Sequence, residues 1–178
     1  MNAATFFNPN GRLSRGQFLQ AALVLIAISF VSALSGLVPG TQAAMAASSV
    51  ATLVGFVVMY MWIAIWVKRL HNAGTTGWMF LLIGFGWLIL SQIVNTTVQM
   101  VVAPEMNTAM AEAMSSDGFM AMFEIAAEYG ARLAIPVGLA NALVSLVYAA
   151  GLNALLSNKT EDNRYGPGPE GGVSKVFE

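Results

Sequence analysis

Residues 16–67 read GQFLQAALVLIAISFVSALSGLVPGTQAAMAASSVATLVGFVVMYMWIAIWV, with no Asp, Glu, Lys or Arg between Arg15 and Lys68. A helix needs about 20 apolar residues to cross a hydrocarbon core roughly 30 Å thick. This run is therefore long enough for two crossings, and Pro39-Gly40 supplies the break between them. Outward from it, the charge-free stretches Arg69 to Glu105 and Arg132 to Lys159 hold one crossing each. The sequence predicts an all-α polytopic membrane protein, a bundle of four transmembrane helices over about 18–38, 49–67, 78–101 and 133–156. Composition agrees: 57% of the residues are hydrophobic and 10% charged, against about a quarter charged in soluble domains.

Local signals refine the limits. Residues 1–17 form a polar lead-in. Ser14 and Gln17 have the spacing of a capping box, so the first helix should start near Arg15. Ala47, Ala51 and Gly55 put a small-residue stripe on the second helix. Lys68, Arg69 and His71 close that helix at the negative end of its dipole. Asn72-Ala73-Gly74 breaks it, and Thr75 or Thr76 can cap the next. Residues 102–132 read as an insertion of two short amphipathic surface helices, carrying Met106, Met110 and Met114, then Phe119, Phe123 and Ala126, parted by Ser115-Ser116-Asp117-Gly118. Pro136 with Gly138 is expected to kink the fourth helix. Residues 157–178 read as an irregular tail.

Charge sets the expected orientation. Arg12, Arg15, Lys68, Arg69, Lys159, Arg164 and Lys175 fall on one side and Arg132 alone on the other, which places both termini in the cytoplasm. Trp62, Trp66 and Trp78 cluster on the same side, as interfacial anchors do. Ala44-Met45-Ala46 imitates a signal-peptide cleavage site, but the apolar run before it exceeds the usual length of about 7–15 residues.

Several chemistries lack their residues. There is no Cys and a single His, His71, so thiol catalysis, thiolate metal sites and bis-imidazole sites are excluded. The Met stripe suits Cu(I), but without His or Cys beside it lipid or core contact is the expected role, and no metal or cofactor is expected. Gly166-Pro167-Gly168-Pro169 lacks the Lys-Ser/Thr of a phosphate-cradling loop. No charged residue lies inside any expected span, so Gln92, Asn95, Gln99 and Asn141 read as interhelical hydrogen-bonding groups rather than a proton relay.

Three motifs remain: Gly11-Arg12-Leu13-Ser14-Arg15 with Phe18; Lys68-Arg69-Leu70-His71-Asn72-Ala73-Gly74 with Gly77-Trp78; and Asn163-Arg164-Tyr165-Gly166-Pro167 with Pro169. In that order around hydrophobic helices they resemble the YhaH-like bacterial inner-membrane proteins, a domain of unknown function (number eight hundred and five), over about 1–101 and 133–169. The chain departs from that family at Asn72, where an acidic residue is usual, at Leu19, where Trp is usual, and in the 102–132 insertion. The resemblance implies a bacterial inner-membrane location and no particular activity.

All three motifs are expected on cytoplasmic segments. Arg12, Arg15, Arg69, His71 and Arg164, with Trp78 and Tyr165, therefore read either as topology signals and turn formers or as a site for an anion, most simply a phospholipid headgroup. The expected function is that of a non-enzymatic accessory or scaffold protein. Its expected partners are membrane lipids and, beside them, a protein partner or a second copy of the chain; nucleic acid is not expected. The alternative is an oligomeric small-solute transporter or channel subunit.

Overall fold

The computed structural model describes residues 2–116 and 118–169, the side chains of 116 and 118–120 excepted. Asp117, Lys175 and the Phe119 side chain, which entered the sequence reading, lie outside the described residues. The elements are α1 (Ala3–Phe7), α2 (Arg15–Ala33), α3 (Thr41–Asn72), α4 (Phe80–Val102), α5 (Met106–Ser116) and α6 (Gly118–Leu155), with 3₁₀ turns at Leu34–Leu37 and Gly77–Met79. No strand occurs among the described residues. Four segments are long and apolar enough to cross a membrane: Arg15–Leu37, Thr41–Asn72, Gly77–Val102 and Ala121–Leu155.

Two helices are longer than expected. Residues 41–48, read as a loop, form the first turns of α3, where Ala43, Ala44, Ala46 and Ala47 supply strong helix formers. The second half of the 102–132 insertion is not a separate surface helix: α6 runs unbroken from Gly118 through Pro136 to Leu155. Only α5 stands as a short helix of its own. At 1.5 Å per residue, the 32 residues of α3 and the 38 of α6 give lengths of ~48 and ~57 Å, beyond a hydrocarbon core of about 30 Å.

The chain divides into two compact units. The first comprises Met1–Ile26, Val57–Leu88 and Ser145–Glu178. Phe18, Leu25, Ile65 and Leu70 are fully buried within it. Trp66, expected as an interfacial anchor, is buried instead, its ring 4.4 Å from that of Phe18. The α2 start follows the capping box: the Gln17 N–H donates to Ser14 Oγ at 3.3 Å, and the Ser14 N–H donates to Gln17 Oε1 at 3.0 Å. Tyr148 ties α6 to α4 by donating its hydroxyl to the Ile83 carbonyl at 2.7 Å.

The second unit, Ala27–Phe56 and Ile89–Val144, buries smaller groups: Ala44, Ala103, Ala113 and Ala134, with Tyr129. Close approach comes from glycine. A Cβ on Gly36 would sit 2.7 Å from the Gly130 carbonyl oxygen and 3.2 Å from Ala134 Cβ. In lipid, where apolar surface gains little by leaving the solvent, such backbone approach is what holds helices together. The expected stripe at Gly55 is not used this way, since nothing lies within 4 Å of a Cβ there. Two of the four span amides find each other, Asn141 Nδ2 donating to Asn95 Oδ1 at 2.6 Å, while Gln99 donates to Asn107 on α5. Arg132, in the N-terminal part of α6, pairs with Glu105 and also donates to the Val102 carbonyl at 3.0 Å.

Candidate functional site at the junction of three motifs

The junction lies within the first unit and begins with how α3 ends. Gly74, at φ +81°, takes the left-handed conformation that a side chain would strain. The Thr75 N–H then reaches back to the Leu70 carbonyl at 3.0 Å and the Gly74 N–H to His71 at 3.0 Å, the paired bonds of a Schellman C-cap. Thr75 adds its hydroxyl to the Leu70 carbonyl, and Thr76 precedes the next turn without a side-chain cap, so neither threonine caps α4 as the sequence suggested. This ending fixes Lys68, Arg69, His71 and Asn72 on the last turns of α3.

Arg69 is fully buried, and its guanidinium closes the C-terminus of α6. Nε donates to the Asn153 side-chain oxygen, Nη1 to the Ser157 carbonyl at 2.9 Å, and Nη2 to the carbonyls of Asn153 and Leu156 at 3.1 and 2.9 Å. Arg15 adds Nη2 bonds to the Ala154 and Leu156 carbonyls at 3.1 and 3.0 Å. The last carbonyls of a helix have no partner within it and carry the negative end of its dipole, so two guanidinium groups satisfy both their bonding and their charge. Lys68 does the same for α1, donating to Ala4 and Thr5 at 2.6 and 3.0 Å.

Arg12 gathers the tail. Its Nη1 donates to the carbonyls of Glu161 and Gly166, and its Nη2 to the Lys159 carbonyl and to Asn72 Oδ1, at 2.7 to 3.1 Å. Asn72 Nδ2 in turn donates to Asn158 Oδ1 at 2.9 Å, a second role that the acidic side chain usual in the resembling family cannot fill. The tail closes a tight turn, with reciprocal backbone bonds between Asn163 and Gly166 and the Tyr165 N–H on Asn163 Oδ1. Asn163 Nδ2 then donates to the His71 carbonyl at 3.0 Å.

The three motifs therefore meet, but their members do different work. Arg12 and Arg69 are enclosed, with their forks spent on the chain's own carbonyls and amides, and Arg15 is exposed with its Nη2 spent likewise. His71 and Tyr165 are stacked, 3.9 Å between centroids and 6° from parallel, and the Arg164 guanidinium carbon lies 4.7 Å from the Tyr165 centroid. Trp78 is 75% exposed. Sequence reasoning missed Asn72, Asn153 and Asn158 as partners of the arginines. An Asn at the closing end of an apolar span was their one side-chain signal; the carbonyls of Lys159 and Glu161 carry none.

Fold and site together define a multi-span α-helical membrane protein whose charged motifs gather in one unit. The model of a family described as a protein of unknown function (DUF805) matches residues 6–167, and the chain belongs to that family. Comparison with curated proteins and with solved structures gave no match.

Proposed function

We propose that this protein is a non-enzymatic accessory protein of the bacterial inner membrane, with both termini cytoplasmic, that holds anionic lipid headgroups against its basic surface. The observation that carries this reading is an imbalance of charge. The described part of the first unit contains Arg12, Arg15, Lys68, Arg69, Lys159 and Arg164 against two acids, Glu161 and Asp162. Among the described residues, none of those six cations forms an ion pair. Anionic headgroups supply counter-charge at the level where such residues flank spans.

Arg164 is the headgroup ligand on this reading. Its guanidinium carbon lies over the Tyr165 ring, and among the described residues its side chain makes no hydrogen bond, so its fork is free to meet phosphate oxygens. Exposed Trp78 suits the depth of the headgroup layer. The transporter alternative draws no support from Asn95 and Asn141, whose side chains bond each other.

Native mass spectrometry of the detergent-extracted chain tests the proposal. Arg164→Lys is expected to leave insertion and yield unchanged while lowering retention of anionic lipid about tenfold, the worth of one charge-assisted fork. Equal retention in both would return Arg164 to the role of a topology signal. Reporter fusions at residues 44, 73 and 117 and at the C-terminus are expected to read outside, inside, outside and inside; an external C-terminus would overturn the orientation.

A further inference from the structure

A polar groove of about 270 Å³ opens in the first unit, with neither Arg164 nor Tyr165 in its walls, and its lining includes Asn2, Thr5, Asn10, Arg12, Gln17 and Lys68. A second cavity of about 500 Å³ shares Asn2, Thr5 and Gln17 in its walls. The lining offers amides, a hydroxyl and two cations, and no carboxylate. Both cations are more than nine-tenths enclosed, and neither has used all of its donors. Lys68 gives two of its three N–H groups to the Ala4 and Thr5 carbonyls. Arg12 gives both terminal nitrogens to the tail and Asn72, while its buried Nε–H has no hydrogen-bond partner.

We propose that this groove is a binding site for a phosphate group, presented either by a phospholipid headgroup or by free phosphate, with Lys68 as its hydrogen-bonding cation and Arg12 as a second positive charge in its wall. A tetrahedral anion offers oxygens in several directions at once, which suits two cations and amides converging from separate segments. Two positive charges match the one or two negative charges of a phosphate ester. Position points the same way. Gln17 stands in the first turn of the spanning helix α2 and Lys68 in the last turns of the spanning helix α3, at helix ends where headgroup phosphates lie. The inference deepens the headgroup reading by naming a second site, and it rests on that reading only for a lipid as the source of the phosphate.

Gln17→Glu separates binding from folding. Glutamate can keep the capping-box bond to the Ser14 N–H and is favoured near a helix N-terminus, so the variant should melt at or above the wild-type temperature. The same substitution puts a negative charge on the groove wall. The full chain in detergent is titrated with inorganic phosphate by calorimetry and, separately, with phosphatidylglycerol by native mass spectrometry. Gln17→Glu is expected to weaken binding about tenfold, through like-charge repulsion, and Lys68→Gln is expected to weaken it as well. An effect confined to phosphatidylglycerol assigns the site to lipid; an effect on inorganic phosphate assigns it to free phosphate. Wild-type binding of both probes by both variants overturns the site. If Arg164→Lys lowers lipid retention and Gln17→Glu changes the binding of neither probe, the groove falls and the surface reading stands; the opposite result keeps the groove and removes the Arg164 surface.

Discussion

The two units of this chain are held by different forces. In the first, long polar side chains reach across the sequence to backbone carbonyls, as when Arg12 meets Glu161 and Arg69 meets Ser157. In the second, small residues bring helix backbones together, and the recorded ion pair, Arg132–Glu105, is about half exposed. The first unit depends on bonds that a conservative change of donor breaks, the second on the absence of atoms that any larger side chain adds. Substitution in the two should therefore differ in kind.

The largest effect is expected at Arg69. Arg69→Met takes their guanidinium donor from the carbonyls of Asn153 and Ser157 and from the Asn153 side chain, and leaves Leu156 to Arg15 alone, at a cost of about 3 kcal/mol or more. Thermal unfolding in detergent reads this, and Arg69→Lys should fall between Met and wild type. A variant melting within about 2 °C of wild type would break the comparison, because a loss that large moves Tm by several degrees. Next comes Gly36→Val, which must displace the Gly130 carbonyl and should cost about 2 kcal/mol, as overpacking does. Hydrogen exchange along residues 118–134 should rise with it; unchanged exchange would mean that the contact is not a support.

Asn72 sharpens the contrast within the first unit. Asn72→Leu removes an acceptor from Arg12 and a donor from Asn158 together, for about 2 kcal/mol, whereas Asn72→Asp keeps the acceptor and should cost half of that or less. Equal losses in urea unfolding would show that Asn158 carries the bond that matters. The smallest effect belongs to Glu105. Its own backbone N–H, then Arg132, hold its carboxyl below the ordinary carboxylate range. With the folded value depressed, its contribution is present above the unfolded value and is lost as pH falls through the folded one. Wild type and Glu105→Gln should thus differ slightly at neutral pH and converge in acid; a gap that widens on acidification would reverse the sign.

Much of this was legible in the residues. Charge-free runs located four spans, Ser14 with Gln17 located the start of α2, and Gly74 located the end of α3. The start of α3 at Thr41 was hidden because Thr, Ser and Gly flank an alanine run whose helix propensity outweighed them. The reach of α6 back to Gly118 was hidden because amphipathic spacing looks the same on a surface helix and on the extension of a spanning one. At the site, the motifs announced that arginines matter, but a sequence shows donors and not the carbonyls they meet. Arg12 and Arg69 therefore looked available for an anion, whereas the fold uses both forks internally.

Those forks also bear on how the protein is made. Every residue that receives Arg69, and three of the four groups that receive Arg12, lie at or beyond Asn153, and so are made after all but the last turn of α6. Until that part of the chain emerges, two guanidinium groups have only water or lipid phosphate to satisfy them, and the first unit cannot close around them without stranding charge. Closure then waits for long-range contacts that residues 153–166 supply. A product ending at Leu152 should keep its earlier helices, hold an open first unit, and be cleared by membrane proteases faster than the full chain. In that sense the buried arginines act as a proofreading step, accepting a chain that extends through Gly166 and exposing one that stops short of Asn153.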